Sequence, residues 1–399
     1  MARDDFNADT KNRLAKRAGY QCSICKKLTI SASEESNKSV NSTGVAAHIS
    51  GASDGRGSRR YDPQISHEER KSIENGIWLC SEHANYIDRD EFKYSTEKLL
   101  SIKKEHEKQI SLKHEGLDIK NGSLYEIEVN NICLFNSNIK IRLKKNNVFI
   151  GNNGTGKSTL CQIISSLENS KYLNLIKLKS KGQNGYFKLK FIKSVSSKYR
   201  VIVNSNSRIE YEVDEVETPI LDSPVKTLYL EEKFMAYVNN SYDFKSITTA
   251  KKISKFFNLK KSELISLLYS IRNKRKYFIH DLEITNSKEL EFKIKNSAPF
   301  LPLANLSGGE SVKVCLEIIL QLAIYFSKFR PTILLIEKGV IHSLDTDGIK
   351  YLMKIIVEEN FLFQFIFVDY DKEMDYIYPD MNVLKFINEN GVSSVKTIN

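Results

Sequence analysis

The stretch Gly151-Asn152-Asn153-Gly154-Thr155-Gly156-Lys157-Ser158-Thr159 constrains this 399-residue chain more than any other. It follows the apolar run Val148-Phe149-Ile150 and precedes a segment that reads as a helix from near Leu160. A strand, a turn fitting G-x-x-x-x-G-K-[ST] and a helix together make a phosphate cradle. The glycines let backbone N–H groups wrap the phosphates, Lys157 reaches the β and γ phosphates, and Ser158 binds magnesium. Asn153, Gly154, Gly156, Lys157, Ser158 and Thr159 are therefore the candidate contacts of an ATP with Mg2+.

The rest of the chain divides around this motif. Residues 1–115 form one expected domain, 116–124 a linker with Gly116 and Gly122, and 125–399 a second domain. In the first, residues 9–19 read as a helix capped by Asp9 or Thr10 and stopped at Gly19. The Ser/Asn-rich stretch 31–44 and residues 51–60 read as surface loops, and 95–115 as a charged helix capped by Ser95 or Thr96. After Tyr125 short β-rich runs appear at 126–134, 139–143, 147–150, 186–192, 199–204 and 226–230. Residues 244–275 look helical; then come a helix after Leu306, a strand at 332–336, a helix at 346–358 and a strand at 363–369. This alternation predicts an α/β sheet domain with a β-rich lobe and a helical insertion. The chain shows no internal repeat and no heptad run long enough for a coiled-coil arm.

A second motif, Leu306-Ser307-Gly308-Gly309-Glu310, lies after the phosphate loop and before a buried strand. In that place it resembles the signature of ABC-type ATPases of the SMC and RecF kind. The resemblance implies a homodimer or higher homo-oligomer in which the signature of one subunit closes on the ATP of the other. Ser307 and Gly309 would meet the γ phosphate, with Gly308 and Glu310 in the same segment. The strand Ile333-Leu334-Leu335-Ile336-Glu337-Lys338 departs from the family's Asp-Glu ending. Glu337 can still attend the magnesium, but Lys338 stands where a carboxylate would orient the attacking water, and a cation cannot accept that proton. ATP is thus expected to bind and dimerise the module with slow or absent hydrolysis, unless another carboxylate substitutes. Tyr370 holds the switch position, usually His, and Ser343-Leu344-Asp345 the D-loop. No Gln lies between Leu228 and Met235 to mark a glutamine loop.

The first domain carries metal-ligand spacing. Cys22-x-x-Cys25 and Cys80-x-x-His83 each offer two ligands from one turn and together complete a closed Cys3His set, which predicts a structural zinc. Between them lie Ala46-Ala47-His48-Ile49, Arg60-Tyr61-Asp62-Pro63, Glu68-Glu69-Arg70 and Glu74-Asn75-Gly76-Ile77-Trp78-Leu79-Cys80. His83–Asp88 and Lys103-Lys104-Glu105-His106-Glu107 follow. This set, over residues 10–110, resembles the HNH endonucleases, which implies a small zinc-stapled ββα fold. His48 would then be the general base, Asn75 would hold the loop carrying it, and a catalytic Mg2+ or Mn2+ would sit on the helix after Cys80. The family's first helix His is here Ala84, Asp88 occupies the second His position, Asn85 is the alternative ligand, and Ala47 stands where other branches place one. Arg56, Arg59, Arg60, Arg70 and Lys71 flank the site and suit either phosphate contact or solvated surface.

The net charge is +11, with 20 Lys+Arg against 18 Asp+Glu up to residue 115 and 40 against 31 beyond it. The basic excess of the second domain is compatible with a polyanionic partner. No uncharged apolar run approaches the ~18 residues of a membrane span, and Met-Ala-Arg-Asp-Asp lacks a signal-peptide core. A cytoplasmic protein acting on nucleic acid, DNA before RNA, is expected. The pairing of an ABC ATPase with an HNH nuclease resembles the Septu anti-phage system. The resulting expectation is a nucleotide-regulated, metal-dependent endonuclease of defence; the alternative is a non-cleaving SMC-like DNA clamp gripping through its zinc module. The ATPase of a membrane transporter is a poor third.

Overall fold

Apolar side chains alternate along the strands of the second half, and both alternating sets are buried. Ile333 and Leu335 pack in one core cluster, Leu334 and Ile336 in another; Ile366 and Val368 join the first, Phe365 and Phe367 the second. A sheet buried on both faces is the parallel kind that helices must cover. The computed structural model describes residues 3–54, 58–114, 123–192, 197–204, 209–219, 223–234, 249–272, 274–285, 290–370, 378, 380–389 and 392–398. Met1–Glu115 and Gly116–Asn399 form two compact units.

The described strands of that sheet run in the order Lys226–Leu230, Thr332–Glu337, Gln364–Val368, Asn146–Ile150, Asn382–Glu389, Val392–Ile398. All neighbours are parallel except the last pair, an antiparallel hairpin. The helices Gly308–Phe326, Thr346–Glu358 and Lys261–Ile271 cover one face, and Lys157–Ser166 lies on the other. Beyond that helix stands an antiparallel sheet ordered Val216–Thr218, Ile209–Val213, Ser197–Val203, Gly185–Ile192, Ser123–Asn130, Ile139–Arg142. Buried Gln364 ties the two sheets. Its side-chain N–H donates to the carbonyls of Leu124 and Lys144, each at 2.7 Å, and its carbonyl accepts from the Leu124 N–H at 3.1 Å. The mixed α/β architecture, the β-rich lobe and the helices Thr249–Phe256 and Lys261–Ile271 match the expected fold class; residues 244–248 and 273 of the expected helical stretch lie outside the described residues.

The small unit holds an antiparallel pair, Gly44–His48 with Gly76–Cys80, followed directly by the helix Ser81–Arg89. Two helices, Ala8–Arg17 and Thr96–His114, pack on this ββα element. Several sequence expectations shift here. The first helix begins earlier than expected, because Asn7, not Asp9 or Thr10, accepts the Thr10 N–H at 2.7 Å. The stretch 31–44 is not all loop: Ile30–Ala32 pairs with Val40–Ser42. Those strands are exposed, so they carry no hydrophobic alternation to read. Residues 123–124, assigned to the linker, already belong to a strand; 116–122 lie outside the described residues. The helix Ser170–Lys179, the pair Ile209–Val213 and Val216–Thr218, and the C-terminal hairpin were not expected.

Candidate zinc, nucleotide and cleft sites

The second strand and the helix of the ββα unit, with the turn after the first helix, deliver the parts of a candidate metal cluster. Cys80 ends the second strand, His83 lies in the first turn of the following helix, and Cys22 and Cys25 sit in the turn after the first helix. The ligand atoms of Cys22, Cys25, Cys80 and His83 all lie within 4.8 Å of one another. Cys25 and Cys80 sulfurs are 3.9 Å apart, and Cys80 Sγ is 3.2 Å from His83 Nδ1. Ligands at ~2.3 Å around a tetrahedral ion stand roughly 3.5–3.8 Å apart, so this donor set fits zinc. Burial works against a charge on Cys80, but the His83 backbone N–H, its ring and the neighbouring thiols hold the pKa down to about 7. The same burial pushes Cys22 up to about 11. The local core is small, with Cys22, Ile49, Ile77, Leu79, Cys80, Ile87 and Leu99 its buried members. A unit with so little apolar surface is of the kind that a bound zinc would staple. Elemental analysis is expected to give one zinc per chain, and Cys80→Ser is expected to lose it and expose residues 3–114 to proteolysis; a metal-free native chain would refute this.

His48 ends the strand Gly44–His48 opposite Gly76. Its Nε2 lies 2.9 Å from the Asp4 carbonyl oxygen, and its ring stacks on Phe6, centroids 3.9 Å apart and planes 6° apart. Burial lowers the His48 pKa and so favours the neutral ring, partly opposed by the hydrogen bond to the Asp4 carbonyl. Asn75 is buried and braces the backbone just past His48: its carbonyl accepts the Ser50 N–H at 2.8 Å, and its amide donates to Ser50 O at 3.0 Å and Arg70 O at 3.1 Å. His48, Ala47, Arg3, Arg59, Arg60, Ala84 and Asp88 line a cleft of about 380 Å³. Asp88 is exposed and 3.5 Å from the Arg60 guanidinium. It is the one carboxylate lining this cleft among the described residues. The donor set for a catalytic cation is therefore thin, though it meets the minimum for a magnesium that keeps most of its waters and also binds substrate phosphate.

Two of the flanking arginines are not available to phosphate. The Arg60 side chain is largely buried and already engaged, donating from Nε to Ile49 O at 2.8 Å and from Nη1 to Ile87 O at 2.5 Å. Arg70 is buried against the Asp4 carboxylate and the Asp62 carbonyl. Arg59 and Lys71 are exposed, and Arg56 lies outside the described residues.

In the larger unit the strand Asn146–Ile150 runs into the phosphate loop, and the helix Lys157–Ser166 starts at once. Gly156 caps it with φ +97°, where a Cβ would come 2.7 Å from the Phe135 ring. Lys157 is buried, its ammonium donating to the carbonyls of Gly151 and Asn152, each at 2.7 Å. Asn153 and Gly154 are exposed, while Ser158 is half-buried and hydrogen-bonded to Tyr370, and Thr159 is buried. Burial pushes the Tyr370 phenol up to about 12, and the Lys157 ammonium sits 5.0 Å from its ring centre.

The signature segment starts the helix Gly308–Phe326. Ser307 Oγ caps it and Glu310 returns the bond to the Ser307 N–H at 3.0 Å, so the Glu310 carboxylate is committed to the cap. Ser307 and Gly308 are exposed, and a Cβ on Gly308 would lie 3.4 Å from Ser343 Oγ. Asp345 caps the helix Thr346–Glu358. Glu337 ends its strand with one hydrogen bond to each carboxylate oxygen, accepting from Tyr229 Oη at 2.6 Å and from the Glu232 N–H at 3.0 Å. Lys338 stands 2.9 Å from Oδ1 of wholly buried Asp369, whose Oδ2 accepts from Tyr378 Oη at 2.5 Å. Sequence reading missed Asp369, Tyr229 and Tyr378, because nothing local marks a buried acid at the end of the neighbouring strand, 31 residues after its cation.

Burial lowers Lys157 to about 8, with Asp369 opposing the shift. A bound polyphosphate restores the charge, so binding takes up a proton once the free site has lost one. ATP affinity is expected to be flat below pH 8 and to fall by up to about tenfold per pH unit above it. Titration of a fluorescent ATP analogue between pH 6.5 and 9.5 checks this, and a flat profile would refute it.

No protein-family model matches this chain, and no curated protein matches it. Among solved structures it is similar to an Smc head bound to the C-terminal winged-helix domain of ScpA, with 17% identity and a TM-score of 0.50 over 69% of this chain and 97% of that one. The SMC head domain from Thermotoga maritima gives 17% identity and 0.46, covering 69% and 99%. The recombination mediator protein RecF with ATPrS gives 14% and 0.46, covering 69% and 98%. No described helix is long and apolar enough to cross a membrane. Over most of its length the chain has the mixed α/β fold of an SMC-type ATPase head.

Proposed function

We propose that this protein is an ATP-regulated endonuclease acting on DNA, built from a dimerising ABC head and a zinc-stapled HNH module. The observation that carries the nuclease reading is the placement of His48, hydrogen-bonded through Nε2 and lining a cleft with Asp88, with the backbone beyond it braced by Asn75. His48 accepts a proton from the attacking water. Arg59 lies exposed at the cleft for a phosphate. Magnesium or manganese bound at Asp88 would supply Lewis acidity to that phosphate. On the head, ATP at the phosphate loop of one chain meets Ser307, Gly308 and Gly309 of a second copy. Lys338 offers no base, so bound ATP holds the pair and gates the nuclease instead of driving a cycle. This suits an anti-phage effector restrained until a signal arrives.

One observation favours a second reading, a non-cleaving DNA clamp. Ala47 and Ala84 give the cleft no ligand, and Arg60 lies beside Asp88. Pure protein incubated with plasmid DNA, and with bulk RNA, in magnesium or manganese separates the two. Metal-dependent cutting of DNA is expected, reduced about 10²- to 10⁴-fold by His48→Ala and altered by ATP only while Lys157 is intact. No cutting, with ATP-dependent retention of DNA, would establish the clamp. Cutting of RNA alone would correct the substrate. Nucleotide recovered from the protein after prolonged incubation with ATP and magnesium is expected to remain mostly ATP; mostly ADP would show that another group replaces the missing carboxylate.

A further inference from the structure

The segment before the first helix lies across His48, 44 residues away in sequence from the carbonyl that meets it. The Asp4 carbonyl oxygen faces Nε2 and the Phe6 ring lies flat on the imidazole, both residues being buried. The Asp4 N–H donates to Ala52 O at 3.0 Å, which ties the segment to the loop beyond His48. Its carboxylate accepts from His67 Nδ1 at 2.8 Å, Arg70 Nε at 3.0 Å and Lys71 Nζ at 3.3 Å. Arg70 is fixed in turn: it donates to Asp62 O at 3.0 Å, lies 5.0 Å above the Tyr61 ring centre, and offers its own carbonyl to Asn75. Gly76, opposite His48, makes room; a Cβ there would strike Leu14 and come 3.1 Å from Phe6 Cζ.

We propose that Asp4 and Phe6 are positioning residues for His48, and that Arg70, held by Tyr61 and Asp62, serves with His67 and Lys71 to anchor Asp4. A backbone carbonyl can only accept, so a neutral His48 must carry its proton on Nε2 and keep its lone pair on Nδ1. The stacked ring restrains the imidazole plane. The role as base rests on the nuclease reading, whereas the fixed tautomer does not. This gives Arg70 a purpose other than phosphate contact, because its guanidinium is spent on Asp4.

The test is made on the full chain labelled with 15N-histidine. Seven histidines are present, and His48→Gln identifies the signals of His48. Long-range 1H–15N spectra are expected to show His48 as a pure Nε2–H tautomer. Phe6→Leu, which keeps apolar volume, and Asp4→Ala are expected to give a mixture of tautomers with zinc content unchanged. Cleavage should lose about 10-fold or more in kcat, with KM within about twofold. An Nδ1–H or averaged His48 in the parent chain, or an unaltered tautomer in both variants, would overturn the proposal. A fixed tautomer responding to both variants in a chain that cuts nothing would uphold the positioning and sink the nuclease reading.

Discussion

The larger unit depends on one constraint: the strand Asn146–Ile150 must be buried from both sides while its end opens into a phosphate loop. Buried Asn147 makes this possible. Its side chain donates to Lys144 O and Phe365 O and accepts from Lys144 N and Asn382 Nδ2, so it pins both neighbouring strands at one level. Four of the five parallel strands then end together: Glu337 closes one of them, and Gly151, Glu231, Lys338 and Asp369 follow their carboxyl ends. That edge of an open α/β sheet is where ligands bind, because helix N-termini and free loops meet there. The place of the candidate nucleotide site is thus a consequence of strand order as much as of a motif.

The small unit solves the opposite problem. Its buried core is slight for two short strands and a helix, and a zinc held by the four ligand atoms gathered within 4.8 Å would do what apolar burial does not. Polar ties complete it. Arg60, Arg70, Asn75 and Asp4 are all buried to different degrees and all hydrogen-bonded, so each buried charge meets its partner.

What could be read in the sequence was local. The phosphate loop, the Ser307–Glu310 segment and the Cys-x-x-Cys and Cys-x-x-His pairs each sit within one turn, so spacing alone exposes them. The edge pair Ile30–Ala32 and Val40–Ser42 escaped because its side chains face water, and the C-terminal hairpin because its partner strand lies over two hundred residues earlier. Arg60 and Arg70 looked like surface charges beside a cleft. Their burial is set by Ile49, Ile87 and Asp4, which no spacing rule connects to them. Asp88 and His48 do share a cleft, yet only the folded chain shows Arg60 beside that carboxylate.

The ion pair between Lys338 and Asp369 has a consequence for timing. An ATPase that hydrolyses carries its own clock, since each turnover resets it. On the reading proposed here, a head with a cation in place of the base has none, and its assembled lifetime is set by how fast triphosphate leaves. Such a head reports the ratio of ATP to its competitors in the surrounding fluid, and it changes state when that ratio collapses.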